Sequence, residues 1–407
     1  MSFCIRNALL LSEDRSTFSL CPGDIVLEDE VISDVLPPGT LSASDGIDGS
    51  GCIILPVLAN AHTHAFEHLL KGFKTGRRID EPHPDWFWKL YEAWPTELAL
   101  LGARLHLLEN LAAGVGVVVD VLRSSMPTAP FEALRKELGL GGLQFGVGGN
   151  VDCLDLGSEI HSSFKTRLDI LDSRPAPTWI HLHFMETPLR REAAIRHLGR
   201  DPGTALRVRA PPHSRWLLSH ASAAEIQDLR AFSDLRATVV STPGAEARLG
   251  ERTADPRCVL AEGLDLALGS DGPCYNPRLD LFEEARNLSH CEGDALDLKA
   301  LDAAWRALFW RPGRIPGTIP SLRPGTPGNI VLVRCSTIAL QPQFRRPYDN
   351  LLDNLLASLD SRCVELTVLA GRVVYFQGAW PDIDADKLVR DAQKRVEQFV
   401  SDTIGLQ

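Results

Sequence analysis

A chain of 407 residues, 44% hydrophobic and 23% charged, is long enough for one large α/β domain with a small satellite and has the composition of an ordinary globular protein. Its net charge of -11 argues against nucleic acid polymers and anionic membranes as partners and leaves a small-molecule substrate as the expectation. Nine scattered cysteines without C-x-x-C spacing suggest neither a disulfide framework nor a thiolate zinc site, and with no signal-peptide pattern and no apolar run near ~20 residues, reducing cytoplasm is the natural compartment.

In chain order, residues 1–55 read as short strands at 4–11, 24–27 and 31–36, broken by Pro37-Pro38-Gly39 and Gly49-Ser50-Gly51. From Ile53 the pattern turns to strand–helix alternation, the mark of a parallel sheet or barrel. Strands are expected at 53–58, 115–122, 143–148, 179–184, 216–219, 237–240 and 264–269, with helices at 97–113, 131–138, 223–232 and 281–288. That makes seven strands. The stretch 150–178 offers either one very short strand near 151–156 or a barrel that is degenerate there. Short strands return at 329–333, 363–369 and 373–376, and an amphipathic helix over 384–400 closes the chain. The expected division is a small β-sandwich built from both ends (1–55 and 320–380), a barrel at 56–319, and a C-terminal helical segment at 381–407.

Chemistry-bearing side chains recur at the ends of these apolar strands, where barrel active sites are built. His62 and His64 lie two apart, so on a strand they point the same way and form half of a zinc or iron site. His181 and His183 share one face of the next such strand, with His183 nearer its end and Glu186 just past it. A carboxylate placed there can stand beside a metal without ligating it, taking a proton from water and passing it to a leaving group. His220 ends a third strand and Asp271 a fourth. Each alone reads equally as a core histidine or a turn aspartate; the ordered set is the signal. Trp86, Phe87, Trp88, Tyr91 and Trp94 occupy the long connection after the first strand, either as a lid that stacks on a planar substrate or as packing against the barrel or a dimer partner. Arg77 and Arg78 lie close by, and Glu67, Trp88, Glu246 and Asn276 are candidate substrate contacts. A homodimer is the expected assembly.

The segments NAHTHAFEHLLKG (60–72), ENLAAGVGVVVDV (109–121), HLHFMET (181–187), LLSHA (217–221), ALGSDGPCYNPRLDLFEEAR (267–286), RPGTPGNIVLV (323–333) and VLAGRVVYFQG (368–378) resemble the amidohydrolase superfamily. The likeness is to the branch of triazine hydrolases, S-adenosylhomocysteine deaminases and cytosine and guanine deaminases, with some features of formimidoylglutamate deiminases. The resemblance implies a (β/α)8 TIM-like barrel and one divalent ion, Zn2+ or Fe2+, held by His62, His64, His183 and Asp271. It likewise implies Glu186 as proton shuttle, His220 as the group polarising substrate or water, and Asp271 as a second aligning group. Binuclear relatives bridge two metals with a lysine after the fourth strand; here only Lys165 falls in that interval, on an apparent helix face, which supports one ion. Pro56-Val57 and Ser241-Thr242-Pro243-Gly244 depart from the family pattern, the second by removing a polar group that often lines the pocket. The expected reaction is hydrolytic deamination at an amidine-like carbon of an amino-N-heterocycle or formimino compound. A chlorohydrolase or amide hydrolase using the same site, and a non-catalytic scaffold, are the alternatives.

Overall fold

The structure, a computed structural model, describes residues 2–14, 17–42, 44–73, 78–81, 84–146, 152–172, 177–290, 298–309, 321–344 and 350–405. Arg77, Cys291 and the 147–148 end of one expected strand lie outside the described residues.

The first five strands are β1 (Ser2–Asp14), β2 (Thr17–Glu28), β3 (Val31–Leu36), β4 (Ile47–Asp48) and β5 (Cys52–Pro56). They share one sheet with three strands from the other end of the chain, and these follow the parallel strands β6 (Leu58–Thr63), β7 (Val115–Val121), β8 (Gly141–Phe145), β9 (Cys153–Ser158), β10 (Trp179–Phe184), β11 (Arg215–His220), β12 (Arg236–Ser241) and β13 (Asp265–Leu268). The returning strands are β14 (Ile330–Arg334), β15 (Val364–Leu369) and β16 (Arg372–Phe376), and the sheet runs β16-β15-β14-β5-β1-β2-β3 with β4 beside β1. The two ends of the chain join where β5 pairs antiparallel with β14, Ile53 opposite Val333 and Leu55 opposite Val331. Ile5, Ile25, Ile54, Ile330, Leu366 and Val368 bury one apolar cluster in this sheet.

The apolar run expected as a single strand over 53–58 is two strands. At Val57 the chain changes partner: the Val57 amide donates to Asn329 O at 3.3 Å, whereas the Leu58 amide donates to Gly114 O at 2.9 Å. Hydrophobicity does not mark the break, because Cys52 to Thr63 is buried throughout.

β6, β7 and β8 form a parallel three-stranded sheet, and β9 to β13 a parallel five-stranded one. β9, with the helix Phe164–Ile170 after it, fills the stretch where the sequence left a strand indistinct. Parallel strands covered on both faces read as nearly continuous apolar runs, and β7 is buried at all seven positions. Ala61, Val119, Phe145, Cys153, Trp179, Leu217, Val240 and Ala267, one from each of the eight parallel strands, belong to a single buried cluster. β6 and β13 adjoin: the Asp271 amide donates to His62 O at 3.0 Å, and Thr63 bridges to Asp271 in parallel register. Only a glycine fits at 269, since a Cβ there would lie 2.7 Å from His62 O. Among the described residues no helix is long and apolar enough to cross a membrane.

Candidate metal centre and active site

Four strand ends converge at one mouth of the parallel strands. His62 sits on β6 and His64 one residue past it, His183 on β10, His220 at the last position of β11, and Asp271 shortly after β13. His62 Nε2 lies 3.3 Å and His64 Nε2 3.6 Å from Asp271 Oδ1, and His64 Nε2 lies 3.2 Å from His183 Nε2. His220 joins the cluster through His62 and His183, its donor nitrogen within 4.8 Å of theirs.

The hydrogen bonds behind these rings settle which nitrogens face inward. His64 Nδ1 lies 2.7 Å from Val121 O and His183 Nδ1 3.2 Å from Gly157 O. A carbonyl oxygen only accepts, so each Nδ1 carries a proton, which in the neutral ring leaves Nε2 a bare lone pair. Two lone pairs therefore face each other across 3.2 Å. Both ring nitrogens of His62, itself fully buried, have no hydrogen-bond partner. Such an arrangement is unfavourable unless a cation sits among the donors. Zinc–nitrogen bonds of roughly 2.0–2.1 Å at tetrahedral angles separate neighbouring donors by about 3.3 Å, close to the spacings above. His62, His64 and Asp271 present donor atoms within 4.8 Å of one another and His183 adjoins His64, a donor set of the kind a divalent ion takes.

Charge follows burial and neighbours. Burial, joined at His183 by the surrounding imidazoles, holds His62 and His183 well below the ordinary histidine range, in the neutral form a metal ligand needs. For Asp271 burial pushes upward, but the His62 and His220 imidazoles beside it outweigh that and hold the carboxyl well below its ordinary range. His220 is likewise pushed down by burial, yet Glu186, Glu246 and Asp271 raise it to about 9.

Glu186 lies 4.0 Å from His220 Nε2 and pairs with Arg190 Nη1 at 2.9 Å, one helical turn on. Arg190 also donates to Ser158 Oγ at 2.9 Å. His220 Nδ1 lies 3.0 Å from Thr242 Oγ1 and 3.6 Å from Glu246 Oε1. Met185, His220, Ala221 and Asp271, at or just past strand ends at this mouth, adopt positive φ (45°, 74°, 58° and 58°). Non-glycine residues enter that region at a cost of about 1–3 kcal/mol, and it concentrates at functional sites.

A cavity of about 450 Å³ opens over the centre, lined by His64, His183, Glu186, His220 and Asp271 and by Glu67, Phe87, Trp88, Tyr91, Arg123 and Tyr275. The sequence candidates divide here. Glu67 accepts from Tyr91 Oη at 3.1 Å and lines the cavity, as does Trp88, which is 44% exposed. Glu246 and Asn276 do not line it: Glu246 stands behind His220, and Asn276 bonds Ser270 O at 3.0 Å and Glu284 Oε1 at 2.8 Å, bracing the Asp271 loop. His181 is fully buried between Asp155 Oδ1 (2.8 Å) and Ser219 Oγ (2.9 Å) and stacks on His62, so it supports the ligand ring from below. Of the aromatic group, Trp94 faces away and packs edge-on against Phe399. Arg190, Asp155 and Thr242 escaped the sequence reading; only Glu186-x-x-x-Arg190, an (i, i+4) pair opening a helix, left a legible trace. Lys165 is exposed on its helix and does not line the cavity.

Comparison with known proteins finds relatives over the whole length of the chain. A 5-methylthioadenosine/S-adenosylhomocysteine deaminase of Thermoanaerobacter pseudethanolicus is 24% identical, aligned over 98% of this chain and 100% of its own length. A zinc-bound adenosine deaminase of Xanthomonas campestris superposes with a TM-score of 0.79 at 18% identity, covering 98% of each chain. The chain resembles amidohydrolase-superfamily deaminases. A second such fold, the zinc complex of atrazine chlorohydrolase from Arthrobacter aurescens TC1, superposes with a TM-score of 0.73 at 18% identity over 97% of this chain and 100% of that one. No family model matches the sequence. The likeness to these proteins thus rests on whole-length similarity in sequence and in fold.

Proposed function

We propose that this chain is a metal-dependent hydrolytic deaminase that releases ammonia from the amidine-like carbon of an aminopurine nucleoside or a related amino-N-heterocycle. The observation that carries the reading is the inward convergence of bare imidazole lone pairs on Asp271, with an arginine-held carboxylate standing beside them. Similarity to deaminases over the full length of the chain supports it.

His62, His64, His183 and Asp271 would hold the ion, for which zinc is the best fit to three imidazoles and a carboxylate. When bound, it supplies the Lewis acidity that brings the pKa of a water molecule towards neutrality. Glu186 would accept a proton from the attacking water and return it to the departing nitrogen, as a C–O bond forms, the C–N bond breaks and ammonia leaves. Arg190 would fix the carboxylate for both transfers, and His220, 4.0 Å from Glu186, is placed to stabilise the negative charge that grows at the attacked carbon's substituent. Phe87, Trp88 and Tyr91 offer aromatic faces over which a planar base can stack. We read the two parallel sheets as one closed eight-stranded barrel. The eight strands shared by the two chain ends we read as a β-sandwich domain, with the barrel running between them.

Ammonia release by the zinc-loaded protein from a panel of adenine nucleosides, pterins, aminotriazines and formimino compounds tests the proposal; release from at least one, abolished by a chelator and restored by zinc, is expected. Because atrazine chlorohydrolase shares this fold, a chlorotriazine belongs on the panel. Chloride release there, with no ammonia from any other compound, overturns deamination in favour of dechlorination.

A further inference from the structure

A second group of metal-competent side chains lies outside the catalytic mouth. His68 follows the metal strand on the short helix Ala65–Leu70, and His106 and Glu109 are neighbours three apart on the helix Thr96–Ala112. Each presents one donor atom, and the three atoms lie within 4.8 Å of one another. We propose that His68, His106 and Glu109 form a second divalent-cation site, of the class that takes zinc, cobalt or nickel.

The hydrogen bonds around His106 argue for it. Its side chain is buried, 1% exposed, with Nε2 2.9 Å from Thr63 Oγ1. The Thr63 hydroxyl donates its one proton to Asp271 O at 2.9 Å, so its oxygen accepts from His106 Nε2–H. The lone pair therefore resides on His106 Nδ1, which has no hydrogen-bond partner. An unsatisfied acceptor in the interior is unfavourable, and a cation satisfies it. His68 Nδ1 is also buried without a hydrogen bond, 3.5 Å from Glu109 Oε2. Burial, helped by the Lys71 ammonium, pushes His68 down to about 3, so its imidazole is neutral as a ligand must be. Two neutral imidazoles and a carboxylate are the donor set of zinc sites that keep one position open. Glu109, with 34% of its side chain exposed, gives the ion a way in.

Lys71 Nζ, 2.7 Å from Glu109 Oε2, is the cation now paired with that carboxylate and competes with the metal for it. This makes the new site weaker than the catalytic one. Thr63, held between His106 and Asp271 O, links the two centres, so occupancy of one bears on the other.

Metal-depleted full-length protein titrated with Zn2+, and separately with Co2+, tests the proposal by direct count of bound metal. The wild type is expected to take two equivalents, one tight and one weak. His68→Gln should lose the weak one alone, Glu109→Gln should do the same, and a His62→Ala/His64→Ala double variant should lose the tight one. Lys71→Gln should tighten the weak site severalfold, an effect that a purely structural ion pair would not produce. A wild type that binds a single equivalent, or a second equivalent that persists in both His68→Gln and Glu109→Gln, overturns the proposal.

Discussion

Glu186 is buried beside His220 and held by Arg190, so any change in its protonation is felt directly by the reacting atoms. Glu186→Gln keeps the volume but removes the proton acceptor and the charge that pairs with Arg190. General acid–base catalysis contributes about 10²–10⁴-fold, so kcat should fall by about that factor while bound zinc stays at the wild-type level. Retention of kcat within tenfold would remove Glu186 from the proposed proton path. The histidines and carboxylates at the strand ends were legible in the sequence because a strand's period of two places His62 and His64 on one side, and because an apolar run ending in a charged residue is conspicuous. Their partners were not. Arg190 reaches Asp80 and Ser158, and Asp155 reaches His181, across gaps in sequence that no local pattern spans. The same is true of the backbone carbonyls that fix the His64 and His183 tautomers.

Between elements, two contacts govern how well the strand ends hold their positions. At Gly269 an added methyl would meet His62 O at 2.7 Å and His62 Cβ at 2.8 Å, and neither backbone can move without shifting the ligand. Gly269→Ala should therefore cost about 1–3 kcal/mol of stability, the usual penalty for overpacking. It should also weaken zinc binding, read as a lower Tm together with a faster loss of metal to a chelator. The helix Leu281–Ser289 contributes Glu284, whose carboxyl accepts from the Gly244 amide at 2.6 Å and from Asn276 at 2.8 Å. Burial dominates there and raises Glu284 to about 8. A carboxyl raised in the folded state contributes stability that is fully present below the unfolded value of about 4.3, and that contribution is lost as pH climbs towards 8. Glu284→Gln does not titrate, so its Tm relative to wild type should rise between pH 5 and pH 8; a constant difference across that window would refute the assignment. Regular elements with unbroken periodicity, such as Trp179–Phe184 and Val31–Leu36, were legible to the residue. Cys153–Ser158 was indistinct because Asp155 and Gly157 interrupt its apolar run, and both interruptions serve tertiary bonds to His181, Arg167 and His183.

At the scale of the whole molecule, the C-terminal helix Ala385–Ile404 stands mostly in solvent, with Ala392 its only fully buried side chain. Yet it lies against the helices Asp85–Ala93 and Thr96–Ala112, and Phe399 packs edge-on to buried Trp94 with ring centroids 5.2 Å apart. The segment it braces carries Phe87, Trp88 and Tyr91 into the cavity. Arg123 ties the same segment down from the other side, donating to the carbonyls of Tyr91 and Trp94. The last helix is thus an outer support for one wall of the substrate cavity, remote from the metal donors. Aromatic pairs contribute about 0.5–1.5 kcal/mol beyond the area they bury, so Phe399→Ala should lower Tm modestly. If the wall closes on the substrate, loosening it raises KM severalfold and changes kcat little, because the proton path through Glu186 and the metal donors is untouched. Metal content should not change. A variant with lower Tm and an unaltered KM would show that the helix supports the fold without shaping the cavity. A fall in kcat at constant KM would instead place the aromatic wall in the chemical step.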